Sequence, residues 1–186
     1  MFSKVLTLLL LAVPAICAAT PPGDAITVGP DGIYSTLTTA LADTSSNVFF
    51  VYATSIKERV EITRANITIY GQTSNALTYS SNLVTITNNL TAATAGGNEQ
   101  SATISVKAAN VKLYNLNIAN TAGQSGGQAI ALNVAAPQFG GYGLKLTGYQ
   151  DTFYAKSGSQ FLGKSFVQGA TDFVNVIKSN VLKHPD

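Results

Sequence analysis

The chain has 186 residues, 46% of them hydrophobic, with 11 basic and nine acidic side chains and a formal net charge of +2. That length suits one domain with a core, and so slight a charge excess excludes the dense basic surface that nucleic-acid binding needs. A single cysteine, Cys17, leaves no internal disulfide and no cysteine-based metal site.

Residues 1–19 carry one cation, Lys4, an apolar run from Val5 to Ile16 and the small residues Ala18 and Ala19. This is the pattern of a secretory signal peptide, so a secreted, extracellular protein is expected. The run is shorter than the roughly 20 apolar residues of a membrane span, and no other stretch approaches that length, so no membrane association is expected. A core helix is the competing reading, but Pro14 interrupts it. Cleavage after Ala18 or Ala19 also removes Cys17. The sequons Asn66-Ile67-Thr68 and Asn89-Leu90-Thr91 are candidate N-glycan sites, Asn66 the less accessible because a strand-like run begins there.

From residue 20 the chain reads as one domain to 174, followed by a tail at 175–186. Ser35 can cap a short helix that places Leu37, Ala40 and Leu41 on one face. Beyond it come short β-branched and aromatic runs: Val48–Tyr52, Ile67–Tyr70, Val84–Thr87, Thr103–Val106, Val111–Ile118, Ala129–Val134, Tyr142–Leu146 and Gly163–Val167. Leu90 to Gln100 breaks the pattern and reads as a loop. Strands recurring without long helices favour an all-β solenoid, a parallel β-helix, over an α/β sheet, with a β-sandwich as the rival.

Gln128, Gln150 and Asp172 lie 22 residues apart, about one coil of such a solenoid, and predict a three-rung ladder at the inter-strand spacing of about 4.8 Å. Asp151 adjoins Gln150, and Asp151 and Asp172 are the only acidic residues between Gln100 and Pro185. A carboxylate can attack an acyl carbon, a carboxylic acid can protonate a leaving group, and amides can stabilise an oxyanion. Paired carboxylates equally suit glycosidic hydrolysis, and spacing alone is also compatible with a structural ladder of polar side chains. Neighbours on a strand face opposite ways, so Gln150 and Asp151 share a site only if the strand bends, which the nearby Gly148 permits. The sole histidine, His184, stands near the chain end, which disfavours a Ser-His-Asp arrangement, and no His/Cys/Asp/Glu cluster has metal-ligand spacing.

Gly127-Gln128-Ala129-Ile130-Ala131-Leu132, Gly148-Tyr149-Gln150-Asp151-Thr152 and Gly169-Ala170-Thr171-Asp172-Phe173 resemble three consecutive signature motifs of pectin methylesterases, fungal members above all. The resemblance runs from about Ala25 to Val174. It implies a right-handed parallel β-helix that removes methyl esters from galacturonan (pectin) as methanol, without a metal or organic cofactor. On the matching positions, Asp172 is the implied nucleophile, Asp151 the acid and then base, Gln128 and Gln150 the oxyanion amides, and Tyr154 an aromatic lining the sugar groove. Thr152 is read as a structural hydroxyl.

Three departures from the family pattern accompany this. Thr54 and Ile56 replace the Gly and Tyr that usually precede the glutamate at Glu58, and Asn175 and Val176 interrupt the pattern after Val174. The downstream Leu-Gly-Arg-Pro-Trp motif, with the arginine that pairs with the nucleophile, is absent. The tail is therefore expected to be unrelated in origin, the chain truncated and weakly active or inactive, and its open coil end prone to association where a complete protein is a monomer. A noncatalytic polysaccharide-binding or defective fragment is the alternative, and a pectin-cleaving enzyme on the same fold a third.

Overall fold

The computed structural model describes residues 20–176; the leader read at 1–19 and, of the tail read at 175–186, everything from 177 on, including His184, lie outside the described residues. Strand β1 (Ile26–Val28) precedes five successive coils. The first coil is β2 (Val48–Val51), β3 (Thr54–Lys57) and β4 (Val60–Ile62), and the second is β5 (Thr68–Gly71), β6 (Val84–Asn88) and β7 (Ile104–Val106). The third comprises β8 (Lys112–Tyr114), β9 (Asn117–Asn120) and β10 (Leu132–Ala135). The fourth comprises β11 (Phe139–Tyr142), β12 (Lys145–Thr147) and β13 (Phe153–Ser157), and the fifth β14 (Gln160–Gly163), β15 (Phe166–Gln168) and β16 (Val174–Val176).

Each coil gives one strand to each of three sheets. They run β1-β2-β5-β8-β11-β14, β3-β6-β9-β12-β15 and β4-β7-β10-β13-β16, and every strand pairing in them is parallel. This is the parallel β-helix of the sequence expectation; a sandwich of antiparallel hairpins is excluded. Residues at one register position stack coil on coil. Ile56, Ile86, Ile118, Leu146 and Val167 form one inward row, and Phe49, Ile69, Leu113, Gly141 and Leu162 another. The outward face of the first sheet stacks Tyr70 on Tyr114, ring centroids 4.9 Å apart, with Tyr142 following at 6.4 Å.

Three of the expected strands are each two strands in the structure. Val111–Ile118 is broken at Asn115, Tyr142–Leu146 at Gly143 and Gly163–Val167 at Lys164, with φ of 52°, 62° and 51°. One left-handed residue turns the chain from the first sheet to the second. The residue after the first two corners, Leu116 or Leu144, is buried, so the apolar alternation runs on through the turn and conceals it. Asn66, Asn110 and Gln138 make the corresponding corner between the third and first sheets, with φ of 62°, 56° and 61°; Asn110 Nδ2 donates to Asn66 Oδ1 at 2.7 Å. Asn66 is consequently an exposed corner residue, not the start of a buried strand, and is as open as Asn89.

The first helix, α1 (Leu37–Ala40), starts one residue later than expected, capped by Thr36, whose hydroxyl accepts from the Thr39 N–H, in place of Ser35. Glu58 completes this helix end: Oε1 accepts from the Leu37 N–H at 2.9 Å and Oε2 from the Thr38 N–H at 3.0 Å. A carboxylate suits the positive end of the helix, which gives the glutamate a structural role despite the altered residues around it. The stretch Leu90 to Gln100 is not a plain loop. It holds α2 (Ala92–Ala95), closed by reciprocal Thr91–Thr94 capping, and α3 (Asn98–Ser101). The Thr-x-x-Thr spacing carried that signal, although threonine at the fourth position is a weaker mark than glutamate.

Candidate active site

The turn from the second sheet to the third passes through Gly148–Thr152 on the fourth coil and Gly169–Phe173 on the fifth. Close packing selects both glycines. A Cβ at Gly148 would stand 2.8 Å from Thr152 Oγ1, and one at Gly169 would stand 2.6 Å from the same atom and 2.5 Å from Phe173 Cβ. Thr152, fully buried, donates to the Gln168 carbonyl at 3.0 Å and so ties one coil to the next. Backbone bonds complete the tie: Asp151 N–H to Thr171 O at 3.2 Å and Phe153 N–H to Phe173 O at 2.9 Å.

Gln128 faces Gln150 in an isolated parallel bridge, but Gln150 faces Thr171, not Asp172. The expected ladder of Gln128, Gln150 and Asp172 is corrected at its third rung. The spacing of 22 is a rung only between the two glutamines; Gln150 and Thr171 are 21 residues apart, as are Leu132 and Phe153, and Phe153 and Val174, on the neighbouring strands. Asp172 thereby falls at the position equivalent to Asp151. Both are left-handed, with φ of 61° at Asp151 and 42° at Asp172, so the two aspartates occupy the same corner on successive coils, about 4.8 Å apart along the axis. The same φ resolves the conflict over Gln150 and Asp151, since the strand path ends between them.

Identical residues at equivalent corners have different surroundings. Asp151 is 1% exposed; Asp172 stands on the last described coil, with no described residue stacked beyond it. Burial pushes the Asp151 carboxyl above the usual carboxylate range; a hydrogen bond from Asn175 opposes this, and the charge of Asp172 adds to it. A buried carboxyl biased toward its acid form, one coil from a second carboxyl, is an arrangement suited to acid catalysis beside a nucleophile. The side-chain amides of Gln128 and Gln150 make no hydrogen bond to any described residue, which leaves their donors available to a ligand.

Tyr154 follows on β13, 7% exposed, with its ring against Ile130 and Ala102. It stands more within the wall than on the groove surface. The wall beyond it is the α2–α3 insert, which the Ala92 N–H joins to the Gln128 carbonyl at 2.8 Å and the Lys156–Glu99 ion pair joins to β13. Sequence reasoning missed this insert and also Asn175, although counting one coil on from Tyr154 finds Asn175 opposite it. Among the described residues no three His, Cys, Asp or Glu side chains come together to hold a metal ion.

Comparison with known proteins bears on this arrangement. The pectinesterase family model matches residues 25–184. A pectinesterase of Aspergillus aculeatus is 40% identical over 185 residues, which are 94% of this chain and 56% of the relative. A probable pectinesterase A of Aspergillus niger is 40% identical over 158 residues, 82% of this chain and 48% of the relative. Among solved structures, the deglycosylated pectin methylesterase of Aspergillus niger superposes with a TM-score of 0.78 at 38% identity, over 81% of this chain and 52% of that one. The carrot pectin methylesterase gives 0.71 at 26% identity, over 83% and 49%. The chain spans about half the length of the relatives it matches. With the family model reaching across both aspartate corners and the fold shared with solved members, the chain belongs to the pectinesterase family.

Proposed function

We propose that the chain is a carboxylic ester hydrolase acting on the methyl esters of galacturonan in pectin. The observation that carries this reading is the pair of aspartates at one corner position on successive coils, the first of them buried and held toward its acid form. Asp172 attacks the ester carbonyl carbon and forms an acyl-enzyme, while the Gln128 and Gln150 amides donate to the oxygen that gains charge. Asp151 gives its proton to the departing methoxide, and methanol leaves. The Asp151 carboxylate then takes a proton from water as the water oxygen attacks the acyl carbon, which releases Asp172 and a free galacturonate. Tyr154 and the α2–α3 insert border the groove for methyl-esterified homogalacturonan, and the leader-like residues 1–19 support action outside the cell.

The decisive experiment measures methanol release from methylated pectin by the secreted chain and by its Asp172→Asn variant. Release that the variant loses supports the reading. Retention on a pectin column with no methanol from either protein favours a noncatalytic binding role instead.

A further inference from the structure

Asp151 is held by one oxygen only. Oδ1 accepts from Asn175 Nδ2 at 3.3 Å, while the buried Oδ2 has no hydrogen-bond partner among the described residues. Asn175 reaches this position by register: β16 pairs with β13 so that Asn175 stands opposite Tyr154, and residues facing each other across parallel strands share one face of a sheet. Coil stacking therefore places the amide, three residues beyond Asp172. The nitrogen of a side-chain amide donates and does not accept. The oxygen it touches is thus an acceptor oxygen of the carboxyl group.

We propose that Asn175 is a positioning residue for Asp151, occupying Oδ1 with its amide and fixing the plane of the carboxyl group. The inference rests on Asp151 as the proton donor of the proposed esterase. When the ester C–O bond breaks, the Asp151 carboxyl proton moves to the methoxide oxygen and its electron pair stays on the carboxylate. Asn175 holds that anion more strongly than the neutral acid, since a hydrogen bond to a charged acceptor is the stronger one. In the second half of the cycle the Asp151 carboxylate takes the proton of the attacking water, the bond from the acyl carbon to Asp172 breaks, and the starting state returns. The amide thereby restrains the effect of burial, which acting alone would leave Asp151 a ready acid but a base in short supply.

The test is a carbon-13 NMR titration of the Asp151 carboxyl in the secreted chain, assigned by its loss in Asp151→Asn, and repeated in Asn175→Leu. Removing a donor that favours the anion should move the midpoint up by about half to one pH unit. A downward movement would mean that the amide oxygen accepts from the acid's proton, and an unchanged midpoint that the contact carries nothing; either overturns the proposal. Asn175→Ser, which disturbs β16 less, should move the midpoint the same way by a smaller amount. In methanol release, the limb of the kcat profile that belongs to Asp151 should follow with KM unaltered, and a uniform loss at all pH values would indicate a merely structural residue. Wild-type methanol release by Asp151→Asn would remove Asp151 from the mechanism without touching the titration result, so the two failures are distinct.

Discussion

Gly169→Ala isolates the contribution of close packing at the aspartate corner. Gly169 has no positive φ, so an added methyl group meets steric resistance alone. The new Cβ lies 2.5 Å from Phe173 Cβ, 2.6 Å from Thr152 Oγ1 and 3.2 Å from the Tyr149 carbonyl. Overpacking of this kind costs about 1–3 kcal/mol, and displacing Thr152 forfeits its bond to Gln168 for about 1 kcal/mol more. The sum, about 3 kcal/mol, corresponds in a domain of this size to a fall in Tm of roughly 6–12 °C. Gly148→Ala, whose closest contact is Thr152 Oγ1 at 2.8 Å, should cost less. Gly140→Ala, where the nearest atom is Lys112 Cγ at 3.8 Å, should be neutral or stabilise by up to about 1 kcal/mol. Combining Gly169→Ala with Thr152→Ala should cost less than the sum of the two, because the second change removes one of the clashing atoms. Calorimetry or urea denaturation reads all four. A Gly169→Ala Tm within about 2 °C of the parent, or a larger fall for Gly140→Ala, would refute the packing argument.

Asp151→Asn and Asp172→Asn should each lower methanol release by at least about 100-fold with the circular dichroism spectrum preserved, since each removes a group to which the proposed mechanism assigns a step; near-parental turnover in either would reject that residue's role. Burial raises the Asp151 titration above its unfolded value, so the unfolded chain loses this proton first as pH rises, and stability falls through the interval between the two values. Asp151→Asn should accordingly raise Tm near pH 7 and lose that advantage below the ordinary carboxylate range; an equal change at both pH values would contradict the burial argument. Glu58→Ala removes the acceptor of two helix-end N–H groups and should cost about 2 kcal/mol in chemical denaturation, with a loss under about 0.5 kcal/mol counting against the capping role.

The solenoid was legible because its rows of Ile, Val and Leu recur at strand spacing, and Gln128 and Gln150 do face each other one coil apart. The corners were not. Asn115 and Gly143 sit inside runs whose apolar alternation continues on either side, and only their tolerance of a left-handed backbone sets them apart. The same blindness affected the site. Asp172 resembles the third member of a glutamine series because its interval from Gln150 repeats the 22 that separates the glutamines, while the rung itself falls 21 residues on, at Thr171, and its equivalence to Asp151 depends on register, which pairing determines. Asn175 escaped because its contact with Asp151 bridges two coils and leaves no local mark in the sequence.

The stacked tyrosines on the outer face of the first sheet give the molecule an optical property. The chain contains no tryptophan, so its near-ultraviolet signal comes from phenol and phenyl rings alone. Tyr70, Tyr114 and Tyr142 belong to three successive coils and are held ring against ring by coil stacking. Their mutual orientation persists only while those coils remain wound together. The part of the tyrosine ellipticity that Tyr70→Phe and Tyr114→Phe remove therefore reports on the pitch of the solenoid itself, and comparing its loss with the loss of backbone signal distinguishes coils that slip apart from strands that melt.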